Sequence, residues 1–195
     1  GLPSRIPDRV LPYAARNAVP ERFVGNTALA QRGDLPQLGT SSHPSEPIAF
    51  LVWGDSHALA IAELCHTLAR EHNIRGAIAA RGATVPLLGT WCSHNGPQAV
   101  EWNQAVLQFV KSRRISNVVL VSRWAVYIGG ESSGERTDLL IRDEQSSRVC
   151  PEESMAVLRR GFERTVAALA ADGTNVWIMK QVPMQATDPT RSLFL

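Results

Sequence analysis

At 195 residues the chain has the length of one ordinary domain, enough to bury a single core. A hydrophobic share of 44% and a charged share of 19% exclude a disordered or collagen-like chain, and no apolar run approaches the roughly 20 residues that span a bilayer. A net charge of +2, from 20 basic and 18 acidic residues, supplies no field that would gather nucleic acid, so no polyanion partner is expected. The three cysteines, Cys65, Cys92 and Cys150, lack the paired spacing of a zinc site. No metal, no cofactor and no signal peptide is expected. Cys65 falls on the expected buried face of a helix. Cys92 and Cys150 fall in polar loops and are open to pairing or to remaining free thiols.

Residues 1–47 are rich in Pro, Ser, Gly and Arg, with a short helix conceivable over Arg9 to Arg16, and read as a linker wrapping onto a domain at 48–195. The run from Ile48 to Trp53 has the continuous apolar character of a parallel strand buried on both faces, and it ends at the turn-forming Gly54-Asp55. Ile61, Leu64, Cys65 and Leu68 then recur at helical spacing, predicting a helix that buries that face and ends near Asn73. A second strand is predicted from Ile74 to Ala80, stopping at Arg81-Gly82. A helix burying Trp102, Val106, Phe109 and Val110 follows.

The third strand is predicted over Asn117 to Ser122, followed by Arg123-Trp124 and a polar stretch, Gly129 to Cys150, of the length that functional loops reach. A helix from near Pro151, with Glu152 and Glu153 at its positive end, is expected to bury Met155, Leu158, Phe162, Val166 and Leu169. It stops at Asp172-Gly173, and a fourth strand runs from Asn175 to Gln181. Strands alternating with helices imply right-handed crossovers, a mostly parallel sheet and a three-layer α/β/α sandwich, with ligands at the carboxyl ends of the strands. That architecture normally continues with another helix and strand, so the fold is expected to be cut short after Leu195. Trp53, Trp102 and Trp177 fall within strand or helix patterns and are assigned to the core.

Gly54-Asp55-Ser56-His57, between a buried strand and an amphipathic helix, places a serine at the carboxyl edge of the sheet, where helix amides help to stabilise an oxyanion. The same letters also serve as a plain turn, with Ser56 capping the helix. The pattern is not the Gly-x-Ser-x-Gly elbow of α/β-hydrolases, because position 58 is alanine. Trp91, Trp124 and Tyr127 fall in loops at the strand ends, where aromatic rings either stack on sugars or pack as a lid.

The Trp53-Gly54-Asp55-Ser56-His57-Ala58 block resembles the first block of the SGNH hydrolase superfamily, which has a flavodoxin-like fold and whose catalytic serine follows Gly-Asp. The opening Gly1-Leu2-Pro3-Ser4-Arg5-Ile6-Pro7, Arg123-Trp124 and the Val176-Trp177-Ile178 strand leading to Val182-Pro183 narrow the likeness. Together they resemble the SGNH domain fused behind acyltransferase-3 membrane proteins. The resemblance makes Ser56 the nucleophile and its amide an oxyanion donor. Gly82 matches the glycine that usually supplies a second donor, against the alternative of a turn glycine. The usual Gly-x-Asn-Asp block is replaced by Val121-Ser122-Arg123-Trp124, so Arg123 stands as a substitute donor or as a salt-bridged surface arginine.

The superfamily draws its acid and base from a late Asp-x-x-His block, and no such block occurs here. Asp188-Pro189-Thr190-Arg191 carries arginine in the histidine position, and His43, His57, His66, His72 and His94 read as solvated side chains. The resemblance implies serine-dependent transfer of an acyl group, acetyl by expectation, to a cell-envelope glycan outside the cytoplasm. An acyltransferase-3 transmembrane domain in the parent protein supplies the acyl group, and Trp124 and Tyr127 contact the sugar. Without the late block, these 195 residues are expected to turn over little or not at all. The rival readings are a carbohydrate esterase and a non-catalytic glycan-binding module.

Overall fold

The computed structural model describes residues 21–39, 46–130 and 137–181, so the conceivable helix over Arg9 to Arg16 and the region after Gln181 lie outside the described residues. Among the described residues the main sheet has five strands: β1 (Gln37–Leu38), β2 (Phe50–Gly54), β3 (Gly76–Ala80), β5 (Asn117–Val121) and β7 (Asn175–Met179). They lie side by side in the order β1-β3-β2-β5-β7. All neighbours pair in parallel except β1, which runs antiparallel to β3. A second sheet of two short strands, β4 (Trp91–Cys92) and β6 (Ile141–Arg142), pairs antiparallel.

Helices cover both faces of the main sheet. On one face α1 (Thr27–Arg32), α4 (Gln98–Arg113) and α6 (Pro151–Ala170) enclose a core of Leu51, Trp53, Ala77, Ala79, Val118 and Leu120 against Trp102, Val106, Phe109 and Leu169. On the other, α2 (Ser56–Ala60) and α3 (Ala62–Glu71) set Ala58, Leu59 and Ala62 against Val52, Ile78, Ala80 and Val121. A third cluster, beneath the small sheet, joins Val85, Leu87, Cys92, Tyr127, Ile141 and Val157, with α5 (Val126–Gly129) on its edge. This is the expected mostly parallel α/β sandwich. The central strands are apolar on both faces because helices bury both.

The expected boundary at residue 47 falls inside this body. Phe23, Leu35 and Leu38 are buried, and β1 closes one edge of the sheet, so residues 21–39 contribute core and strand rather than linker alone. The polar stretch from Gly129 is also structured where it is described: a 3-10 turn at Thr137–Leu139 leads into β6.

Three burial expectations are corrected. The helix after β2 is divided at Ile61 (φ −100°, ψ 0°) into α2 and α3, and Leu64 and Leu68 of α3 face outward, 59% and 44% exposed, while Ala62 and Ala69 go inward. In α6 Leu169 is buried as expected, but the rest of the buried stripe is Ser154, Val157, Gly161 and Thr165, each one position before a larger apolar residue, leaving Met155 and Val166 at the surface. Small residues win there because the helix sits close: a Cβ at Gly161 would lie 3.0 Å from Thr90 and 3.2 Å from Leu87. Trp177, on β7 at the edge of the sheet among the described residues, is 60% exposed, whereas Trp53 and Trp102 are fully buried.

Candidate active site

Gly54 is the last residue of β2 and pairs with Ala80 on one side and Val121 on the other. A side chain there would collide with the Val121 carbonyl oxygen and set a Cβ 2.9 Å from that of Ala58. Only glycine lets the strand stay paired to its final residue before the sharp turn. Asp55 follows in extended conformation as the N-cap of α2, its Oδ1 accepting from the His57 N–H at 2.8 Å. Ser56 opens the helix and is exposed.

Register then aligns three of the expected site residues. Gly54, Ala80 and Val121 form one paired row, and Ser56, Gly82 and Arg123 each lie two residues beyond it, at the carboxyl edge of three adjacent parallel strands. Gly82 is exposed, with open space where a Cβ would stand. Its turn is held by Arg81 N–H donating to Gly54 O at 3.1 Å and by Thr84 Oγ1 donating to Gly82 O at 3.1 Å. The next residue, Ala83, holds φ +54°, a left-handed conformation that alanine adopts at a cost. Asn95 Nδ2 fixes it by donating to Ala83 O at 2.7 Å and to Thr84 Oγ1 at 3.0 Å.

Farther along the same loop, Val85 O and Leu87 O each accept at 2.9 Å from Nδ2 of Asn103, a fully buried residue of α4 whose Oδ1 accepts from Trp53 Nε1 at 3.2 Å. Neither asparagine was singled out by sequence. The one available signal was a polar residue beside Trp102 in an otherwise apolar helix stripe.

Asp55 is 1% exposed, and its second oxygen, Oδ2, accepts three more hydrogen bonds. The donors are Ser122 Oγ at 2.8 Å, Arg123 N at 3.0 Å and Tyr127 Oη at 3.0 Å. Burial, then the negative charge of Asp55, pushes the Tyr127 phenol far above the ordinary tyrosine range. Tyr127 is itself 1% exposed. Its expected contact with a sugar is therefore corrected: the ring has no open face, and its hydroxyl is spent on Asp55.

Trp124 keeps partial exposure. Its Nε1 donates to Met179 O at 2.9 Å and its ring lies 5.1 Å from that of Phe162, so it ties the end of β5 to the end of β7. Trp91, in β4, is likewise half-buried.

Among the described residues no histidine hydrogen-bonds to Ser56. His66 Nδ1 accepts from the Gly39 N–H at 3.2 Å, His94 Nδ1 stands 3.3 Å from Asp138 Oδ2, and His72 is exposed at the end of α3. His43 lies outside the described residues. The three thiols are unpaired. Cys92 is buried, which raises its pKa, with Sγ 3.3 Å from Asn95 Oδ1, and Cys150 sits at the N-cap of α6. A groove of about 760 Å³ between α1 and α4, lined by Arg32, Glu101 and Arg113, includes none of Ser56, Gly82 and Arg123. No described helix is long and apolar enough to cross a membrane.

Residues 25–194 match the family model described as "SGNH domain (fused to AT3 domains)". No curated protein and no solved structure matches the chain significantly. The family carries a hydrolase or acyltransferase type of role, and its fusion to AT3 membrane domains points to a membrane-tethered parent. The match takes in the strand-turn-helix at Ser56, the turn at Gly82 and the end of β5 alike, and the chain belongs to the family of SGNH domains fused to AT3 domains.

Proposed function

We propose that the protein is a serine-dependent O-acyltransferase that places an acyl group, acetyl by preference, on a cell-envelope glycan outside the cytoplasm. The observation that carries this reading is the register itself: Ser56, Gly82 and Arg123 share one edge, two residues past a single paired row. Ser56 Oγ attacks the acyl carbonyl carbon, and the oxyanion that develops meets the N–H groups of Ser56 and Gly82 and the guanidinium of Arg123. Donors of this kind are worth about 2.7–4 kcal/mol each when aimed at developing charge.

Collapse of that intermediate expels the donor's leaving group and leaves an ester on Ser56. A sugar hydroxyl then attacks the ester, takes the acyl group and returns the serine. The proton of Ser56 needs a base, which the family resemblance assigns to an Asp-x-x-His block absent from these 195 residues. Taken without that block, this stretch should be close to inactive. In this reading Trp124, half-exposed at the same edge, is the aromatic residue best placed to meet a sugar ring.

The test is turnover of a simple acetyl ester by the full-length protein, with and without polysaccharide acceptor, beside Ser56→Ala. Loss of at least about 10³-fold in the variant supports a serine acyl enzyme, and faster ester consumption on adding polysaccharide supports transfer over hydrolysis. Equal rates in wild type and variant would overturn the nucleophile, leaving a glycan-binding module as the better description.

A further inference from the structure

We propose that Tyr127 and Ser122 are positioning residues for the reaction at Ser56, acting through the buried carboxyl group of Asp55. The proposal rests on the reading of Ser56 as the nucleophile. Asp55 has more acceptor capacity than its turn requires. Capping α2 uses Oδ1 alone, through the His57 N–H, and asparagine would cap as well. Oδ2 takes its three donors from one segment, the chain after β5: the Ser122 hydroxyl, the Arg123 N–H and the Tyr127 hydroxyl. One carboxyl group therefore binds the turn before Ser56 to the loop that carries Arg123.

Tyr127 extends the link to the third loop. Its ring packs in one buried cluster with Val85 and Leu87, which lie on the same loop as Gly82. The nucleophile turn and both flanking loops thus converge on the contact between Tyr127 and Asp55. Both residues are 1% exposed and Ser122 is 2% exposed, so water cannot replace a lost partner without rearrangement. Because its phenol pKa lies far above the working range, Tyr127 remains a hydrogen-bond donor wherever the protein functions. Ser56 and Arg123 need a fixed separation to hold an attacked carbonyl, and displacements near 1 Å can cost about 100-fold in rate.

The experiment uses the full-length protein, an acetyl ester as substrate, and the variants Ser56→Ala, Tyr127→Phe, Asp55→Asn and the double variant Asp55→Asn/Tyr127→Phe. Asp55→Asn keeps the helix cap but turns an amide donor toward the Arg123 N–H, which cannot accept. The expected result is a kcat lowered about 10-fold in Tyr127→Phe and about 100-fold in Asp55→Asn, with KM within about 2-fold of wild type. The double variant should lose less than the product of the two single losses, since both changes act on the same carboxyl group.

Unchanged kcat in folded Tyr127→Phe, while Ser56→Ala abolishes turnover, overturns the positioning role and leaves the nucleophile standing. A raised KM with unchanged kcat also overturns it, since the loss then lies in ground-state binding and not in positioning for the chemical step. Turnover retained in Ser56→Ala overturns both readings. If Asp55→Asn does not fold, Tyr127→Phe decides the question alone, because it deletes one hydroxyl from an otherwise intact ring.

Discussion

Replacing Asn103 by leucine tests whether the loop carrying Gly82 is held from the core of α4. The change is close in volume and removes three hydrogen bonds. The Trp53 Nε1–H loses its partner outright, and a buried donor left unsatisfied costs about 1–3 kcal/mol. Val85 O and Leu87 O each keep a second donor, Leu87 N–H at 2.8 Å and Thr90 Oγ1 at 2.8 Å, so each loses only the net worth of one bond, about 0.5–1 kcal/mol. Added apolar contact from leucine offsets about 1 kcal/mol.

The expected destabilisation is about 1–4 kcal/mol, read in urea or as a fall in Tm of about 2–16 °C for a domain of this size. Trp53→Phe strands Asn103 Oδ1 and should cost about 1–3 kcal/mol by itself. The double variant should lose less than the sum, with a coupling of about 1 kcal/mol or more. A leucine variant within 0.5 kcal/mol of wild type, or strict additivity, would refute the network.

Two further perturbations probe the scaffold. Asp143 is 3% exposed and meets Arg160 at 2.9 Å and Arg164 at 3.2 Å. Burial alone would raise its pKa, but the two arginines outweigh it and hold the carboxyl at about 2, against 3.8 for an ordinary aspartate. A depressed folded pKa stabilises above the unfolded value and is lost as pH falls. Wild type should therefore shed about 1–2 kcal/mol between pH 4 and pH 2 that Asp143→Asn does not; parallel acid profiles of the two in urea would refute this. Gly54→Ala should destabilise by about 1–3 kcal/mol or more by driving β2 from β5, whereas Gly82→Ala, with open space at its Cβ, should stay within about 0.5 kcal/mol in the same thermal melt. Equal effects would count against the close strand approach at the site.

The sequence determined the central strands, because parallel strands buried on both faces are continuous apolar runs: Ile48 to Trp53, Ile74 to Ala80 and Asn117 to Ser122 overlap β2, β3 and β5. It also determined Gly54-Asp55-Ser56 as a turn between strand and helix, since those residues favour a turn and cap by local bonding alone. It misjudged the buried face of α6. There contact distance, not hydrophobicity, chooses what goes inside: Thr165 Oγ1 accepts from the Leu88 N–H at 2.9 Å and Ser154 Oγ donates to Ile141 O at 2.9 Å.

It misjudged Trp177 as well: β7 is an edge strand among the described residues, and an apolar edge strand looks like a central one until its neighbours are known. The tertiary structure alone decided how the site is tied together. Asp55 meets Ser122, Arg123 and Tyr127 across 67, 68 and 72 residues of chain. No periodicity encodes such contacts; they follow from β2 and β5 lying side by side, which brings the ends of two distant strands to one edge.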